Sequence, residues 1–199
     1  MARPSQREQI LVEASRLFSK KGYHATTIRE IAQNRGILSG SLYAHISSKE
    51  DLLFEIVDDG ADAFLSAIAS VSQSDRPPID KLRMALCAHI QVIAERMDAA
   101  TVFFHEWEAL SEERRRLIQA KRDKYEAHWN AILEEGMADG SMSMADPKFV
   151  RLMLLSVANW LYHWYRPSGP LAPEEIADRF IQILVNGIEN PGKERDLRA

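Results

Sequence analysis

The chain has a single cysteine, Cys87, among its 199 residues, so it can form neither an intramolecular disulfide nor a zinc site built on several cysteines. Set in Ala85-Leu86-Cys87-Ala88, that cysteine reads as a small buried residue rather than a redox sensor. No apolar run approaches the roughly 18 residues that a membrane-spanning helix needs. The opening MARPSQREQ lacks an apolar signal region and reads as a cytoplasmic start. Strand-like alternation, internal repeats and low-complexity tracts are missing as well. So are catalytic signatures: there is no Gly-x-Ser-x-Gly and no phosphate-cradling glycine loop. His105-Glu106-Trp107-Glu108 is not a two-histidine zinc helix, because Ala109 stands where the second histidine would fall. Nothing points to an enzyme, a cofactor or a metal.

What is present is an ordinary soluble composition, 46% hydrophobic and 27% charged, in a length that suits one or two small domains. The net charge of −4 argues on its own against nucleic acid, but the charges are segregated. Residues 1–49 hold eight Lys/Arg against three Asp/Glu, a net +5, and residues 50–199 hold seventeen against twenty-six, a net −9. A basic head on an acidic body draws DNA to one end and repels it elsewhere.

Helical periodicity runs through the chain. Over residues 7–21 the stripe Ile10, Leu11, Ala14, Leu17 and Phe18 ends at Gly22. A helix from Lys49 runs towards Val71, too long to serve the head alone, and links head to body. Ser72 to Pro78 is a break. Asp80 is placed to cap a helix to about residue 96, and residues 99–109 form a short aromatic segment. Ser111 opens a long helix that stops near Gly136, followed by the Asp139-Gly140 loop. Asp146 is placed to cap a helix reaching Trp164, which Arg166 to Pro173 stops. A last helix spans 173–188 and ends at Asn190-Pro191-Gly192. The expected fold is all-α: a three-helix DNA-binding head over 1–49, a helical effector-binding and dimerisation body over 50–190, and a disordered tail over 191–199.

The stretch from Gly22 to Leu53 has the grammar of a helix-turn-helix followed by a long helix. Thr27 and Glu30 are spaced as a capping box, with Ile28, Ile31 and Ala32 on one face of the helix it opens. Gly36 supplies a left-handed turn. A second short helix, about residues 39–45, has only small or polar residues in its first turn, which suits entry into a major groove. Ser48 caps the third helix. Lys49 near its N-terminus opposes the helix dipole, a misplacement that a phosphate would relieve. The head is expected to bury Leu17, Phe18, Ile28, Ile31, Ile37 and Leu42. That leaves Ser39, Gly40, Ser41, Tyr43 and Ala44 nearer the outside. The readings that need no DNA are a core tyrosine at 43 and a helix C-cap at His45.

The residues Thr26-Thr27-Ile28-x-x-Ile31-Ala32, Gly36-Ile37, Gly40-x-Leu42-Tyr43-x-His45 and Ser48-Lys49-Glu50-Asp51-Leu52-Leu53 fall in register with one another. Together they closely resemble the N-terminal domain of TetR-type transcriptional repressors. The resemblance implies DNA contacts from Thr27 and Arg29, phosphate contacts from Tyr43, His45 and Lys49, and base-edge contacts from Ser39, Gly40 and Ser41. Arg29 is the best candidate for a bidentate guanine contact. Two positions depart from the family pattern: Ala44, where an aromatic is frequent, and Ile46, where Phe is common. The first could remove a phosphate or sugar contact, while the second keeps its core role.

All four tryptophans and four of the six histidines lie in the body. The string Trp164-Tyr165-Arg166-Pro167-Ser168-Gly169-Pro170-Leu171, with residues 36–43, resembles the TetR-type repressors of steroid-ring and fatty-acid catabolism that respond to acyl-CoA thioesters. Such an effector needs an apolar tunnel for the acyl part and cations for the phosphates. Candidate effector residues are Phe103, Trp107, Arg122, Tyr125, Trp129, Trp160, His163, Trp164 and Arg166. On helical spacing Trp160 and Trp164 share a face; such an aromatic stripe is more often core or dimer seam than ligand pocket. The run Arg114, Arg115, Arg116, Lys121 and Arg122 serves either phosphates or a solvated face paired with Glu112 and Glu113. The expectation is a homodimeric repressor that binds a pseudo-palindromic operator and is released by a small hydrophobic effector, such as an acyl-CoA. Its rivals are a regulator of the same fold sensing a drug or another hydrophobic molecule, and a helical carrier or enzyme without specific DNA binding.

Overall fold

Side-chain caps set where the first helices begin. In the computed structural model, which describes residues 5–143 and 146–187, the Ser5 hydroxyl accepts the Glu8 N–H and the Glu8 carboxylate accepts the Ser5 N–H. This box opens α1 (Gln6–Lys21), and Gly22 at φ +86° closes it with a bond from its N–H to the Phe18 carbonyl. Thr27 accepts the Glu30 N–H and opens α2 (Ile28–Asn34). Only half of the expected box forms there, because the Glu30 carboxylate turns away to pair with Lys21. Gly36 at φ +66° makes the turn into α3 (Ser39–Leu42), which is shorter than expected and runs on as turns through Ile46. Leu42, Ile31 and Phe18 pin the three helices together, with Ile28 and Ile37 half-buried at the edge.

Ser48 accepts the Asp51 N–H and opens α4 (Lys49–Ser72), about 36 Å long at 1.5 Å per residue. It packs against α1 in the head and against α5 (Pro78–Glu95), α6 (Met97–His105) and α7 (Glu112–Ala138) in the body. Pro77, not Asp80, occupies the cap of α5, and Pro78 takes the first helical position, where a missing N–H costs no helical bond. Between α6 and α7 a single 3-10 turn covers Trp107–Ala109. α6 also packs on α1, so head and body share an interface beyond α4.

The expected helix to Trp164 breaks at Trp160 into α8 (Pro147–Asn159) and α9 (Leu161–Trp164). The final helix, α10 (Pro173–Asn186), lies on α5 and ends at Gly187, φ +66°. The expected tail over 191–199 lies outside the described residues. No strand forms among the described residues, and none of their helices is long and apolar enough to cross a membrane. Large apolar side chains stay exposed on the last helices among the described residues: Phe149, Leu152, Met153 and Val157 on α8, Trp160 at its end, and Ile183 and Val185 on α10.

Candidate DNA-reading head and effector cavity

At the tip of the head, Thr27, Arg29, Gly40, Ser41 and Tyr43 are exposed, and Ser39, His45 and Lys49 are half-buried. Leu42, fully buried, anchors α3 from beneath, so the first turn of Ser39-Gly40-Ser41 faces outward. Tyr43 is 56% exposed, which excludes the core-tyrosine reading. Arg29 has no ion-pair partner among the described residues, whereas Arg7, Arg16 and Lys21 pair with Glu55, Glu13 and Glu30. A Cβ on Gly40 would meet nothing within 4 Å, so packing does not require the glycine. Leu38, 82% exposed at the start of α3, was not expected here and suits apolar contact with a thymine methyl. Its only trace in the sequence is an apolar residue where a polar cap is usual.

Lys49 corrects one inference. Its ammonium donates to the carbonyls of Tyr23 and Thr26, both at 2.9 Å, and lies 4.2 Å from the centre of the Tyr23 ring. Those carbonyls relieve its placement at a helix N-terminus without any phosphate, and they tie α4 to the loop before α2. One N–H of the three remains for a ligand.

In the body, α4 to α8 enclose a cavity of about 200 Å³. Phe64 of α4, Phe103 of α6 and Leu155 of α8 supply apolar wall. His89 crosses it from α5, 3% exposed and stacked on Phe64 at 4.8 Å. Its Nδ1 lies 2.6 Å from the Tyr125 hydroxyl and its Nε2 2.9 Å from Asn159 Oδ1. A neutral imidazole has one N–H, so Nε2–H donates to the Asn159 carbonyl and Nδ1 accepts from Tyr125. Burial pulls His89 down to about 4 and pushes the Tyr125 phenol well above its ordinary range. Phe64 also borders a wider cleft, about 520 Å³, between α1 of the head and the α5–α6 corner.

The cationic run on α7 divides. Arg114 reaches Asp51 and Glu50, Arg116 pairs with Glu112, and Lys121 bridges Asp58 and Asp62. Arg122 turns into the cavity wall, 4.7 Å from the centre of Trp107 and 5.3 Å from that of Phe103. Its Nη1 is buried without a hydrogen-bond partner. Desolvation lowers its pKa, yet a guanidinium stays charged under any native condition. A half-buried guanidinium with a buried idle N–H and aromatic faces has the chemistry to meet an anion or a strongly polarised oxygen.

Of the nine expected effector residues, Phe103, Arg122 and Tyr125 meet at this cavity, and Trp107 backs Arg122. Trp129 is fully buried, edge-on to Tyr125, and belongs to the core. Trp160, His163 and Trp164 are exposed, because the break at Trp160 swings them off the axis of α8. Arg166 donates to the Tyr165 carbonyl at 2.9 Å and closes α9 rather than a pocket. Phe64, His89 and Asn159 were missed. A histidine on the apolar face of Leu82, Leu86, Ile90 and Ile93 was the available signal.

Residues 10–56 match the family described as bacterial regulatory proteins, tetR family, and residues 75–188 match the tetracyclin repressor-like C-terminal domain. The chain belongs to the TetR family. It is thus a transcriptional regulator of helix-turn-helix type, not an enzyme. It is 30% identical over 186 residues to the HTH-type transcriptional repressor KstR2 of Mycolicibacterium smegmatis, covering 92% of this chain and 91% of that protein. Among solved structures, it resembles the ketosteroid regulator KstR2 of Mycobacterium tuberculosis with a TM-score of 0.87 and 27% identity, over 95% of this chain and 97% of that one. It also resembles AibR, solved with isovaleryl coenzyme A and operator DNA, with a TM-score of 0.80 and 29% identity, over 90% and 97%.

Proposed function

We propose that this TetR-family regulator is a repressor that binds a pseudo-palindromic operator as a homodimer and is released by a coenzyme A thioester. The observation that carries the effector reading is Arg122: a buried, unpartnered guanidinium N–H on the wall of a cavity of mixed apolar and polar lining. A drug-like hydrophobic effector would leave that N–H unmatched; a thioester brings carbonyl and phosphate oxygens to it. The solved complex of AibR with isovaleryl coenzyme A supports the same chemistry in a structural neighbour. The repressor reading draws support from the likeness to KstR2.

In this reading residues 1–49 read the operator in the cytoplasm. Arg29 takes a guanine edge, Thr27, Tyr43, His45 and the free N–H of Lys49 hold phosphates, and Ser39, Gly40 and Ser41 lie along base edges. Residues 50–190 hold the effector and the dimer seam. The exposed apolar face of α8 and α10 is suited to burial against its copy, which makes Trp160 and Trp164 seam rather than pocket.

Transmission has a physical route. Arg114 binds Asp51, the Glu50 carboxylate accepts the Ser111 N–H at 2.9 Å, and these contacts hold both carboxyls below their usual range. Arg122 is eight residues further along the same helix, about 12 Å. A ligand that shifts α7 therefore pulls on the first turn of α4 and, through Lys49, on the loop before α2. Such a ligand releases DNA only if it favours the shifted state, with couplings of about 1–3 kcal/mol being typical.

Fluorescence anisotropy on the operator, titrated with short-chain acyl-CoAs, free acids and coenzyme A, tests the proposal. Release by thioesters alone is expected. In Arg122→Met the concentration for half-release should rise about 10–100-fold, the value of a charged hydrogen bond, while operator affinity stays unchanged. Tight operator binding that no thioester disturbs would discard the effector reading.

A further inference from the structure

Resting on the effector reading above, we propose that Asn159 selects the acyl group, favouring a short chain that carries a keto or hydroxyl oxygen over a plain hydrocarbon. Asn159 ends α8 and lines the cavity. Its carbonyl is committed to His89, which fixes the orientation of the amide. Its two N–H donors then have no partner among the described residues. His89 is itself held by Tyr125 and by the Phe64 ring, so the amide is set before any ligand arrives. Tyr125 has spent its proton on His89, which leaves a phenol oxygen that can accept from a ligand hydroxyl. Ser156, one turn before Asn159, adds a hydroxyl to the same wall. His89, Tyr125, Ser156 and Asn159 thus bring polar groups from α5, α7 and α8 to the cavity, where, besides Arg122, the other polar lining residues, Lys121 and Glu126, are held in ion pairs.

A hydrocarbon chain entering this cavity would strip water from the Asn159 donors and return nothing, whereas an oxygen at that end satisfies them. Size narrows the class further. A cavity of about 200 Å³ equals roughly seven water volumes and lies below the usual range for drug-sized ligands. As it stands it fits a compact acyl group, and a fused-ring or long-chain one would have to extend beyond it.

Titration calorimetry on the full chain with butyryl-CoA, 3-oxobutyryl-CoA, 3-hydroxybutyryl-CoA and dodecanoyl-CoA tests this. The two oxygenated thioesters should bind about tenfold more tightly than butyryl-CoA, and dodecanoyl-CoA more weakly than any short one. Asn159→Leu should lose the preference while still binding butyryl-CoA. Asn159→Asp keeps an acceptor for His89 but removes the donors, so it should lose the preference for 3-oxobutyryl-CoA, which can only accept, even if Asn159→Leu fails to fold. Equal affinity for butyryl-CoA and 3-oxobutyryl-CoA would overturn the assignment and leave the thioester reading standing. A preference that survives both substitutions would overturn it too, as would dodecanoyl-CoA binding most tightly. Binding of no thioester at all would bring down both readings together.

Discussion

Operator affinity should fall by about 10²–10³-fold as salt rises from about 50 to 200 mM. Counterion release depends on the phosphates that Lys and Arg neutralise, and the head carries a net +5 against −9 for the rest of the chain. Much of that positive charge is already engaged: Arg7, Arg16 and Lys21 in ion pairs, Arg35 on Gln9, and Lys49 on two carbonyls. We therefore expect two or three phosphates neutralised per head, roughly four to six per dimer, and a log–log slope near −4 to −5. Tyr43, Thr27 and His45 add hydrogen bonds without adding slope. Arg29 separates two roles. If it reads a guanine edge, Arg29→Ala costs about 1–3 kcal/mol at one base position and leaves the slope in place. If it holds a phosphate, all sequences weaken alike and the slope drops by about 1 per head. Anisotropy at four salt concentrations on matched and mutated operators decides between them. Affinity indifferent to salt would contradict a repressor head altogether.

Acidification should weaken the fold through His89. In the folded chain this imidazole takes its proton only near pH 4, and in the unfolded chain near its ordinary 6.5. Between those values the unfolded chain binds more protons, so stability rises with pH in that window. His89's contribution is complete above about pH 6.5, falls by about 2 kcal/mol between pH 7 and 5, and ends about 3 kcal/mol lower below pH 4. The cause is desolvation; the Asn159 bond opposes it without winning, because charging the ring leaves Nδ1–H aimed at a phenol that was donating to it. His89→Gln has no group that titrates there. Urea unfolding of both proteins should show their stability gap changing by about 2 kcal/mol between pH 7 and 5. A constant gap would mean that His89 is not buried as a neutral ring.

Much of the head is legible in the sequence, because its signals are local. Thr27 sits three residues from the N–H it caps, Ser48 three from its own, and Gly36 makes its turn with its own backbone. The effector cavity was less readable. Phe103, Arg122 and Tyr125 were found through their chemical type, but the same criterion also selected Trp129, which is core, and Trp160, His163 and Trp164, which are exposed. Helical spacing put Trp160 and Trp164 on one face of one helix, and periodicity does not report the break at Trp160. His89 was passed over because an apolar face containing a histidine looks the same whether its partners are absent or, as here, 36 and 70 residues away.

By itself the sequence determined the helical class, the helix-turn-helix, the charge asymmetry and the family, since each is written in residues within a few turns of one another. The tertiary structure decided how the five similar cations of α7 divide: three are paired, Arg115 is exposed, and Arg122 lines the cavity. Asp51, Asp58 and Asp62 of α4 neutralise Arg114 and Lys121, and the geometry of α7 against α6 sets Arg122 on aromatic rings with no carboxylate in ion-pair contact among the described residues. It also decided that Lys49 leans on carbonyls and that Asn159 keeps idle donors. Charge and polarity are properties of a residue. Whether a partner meets them depends on which distant helix packs opposite, and local spacing carries no record of that.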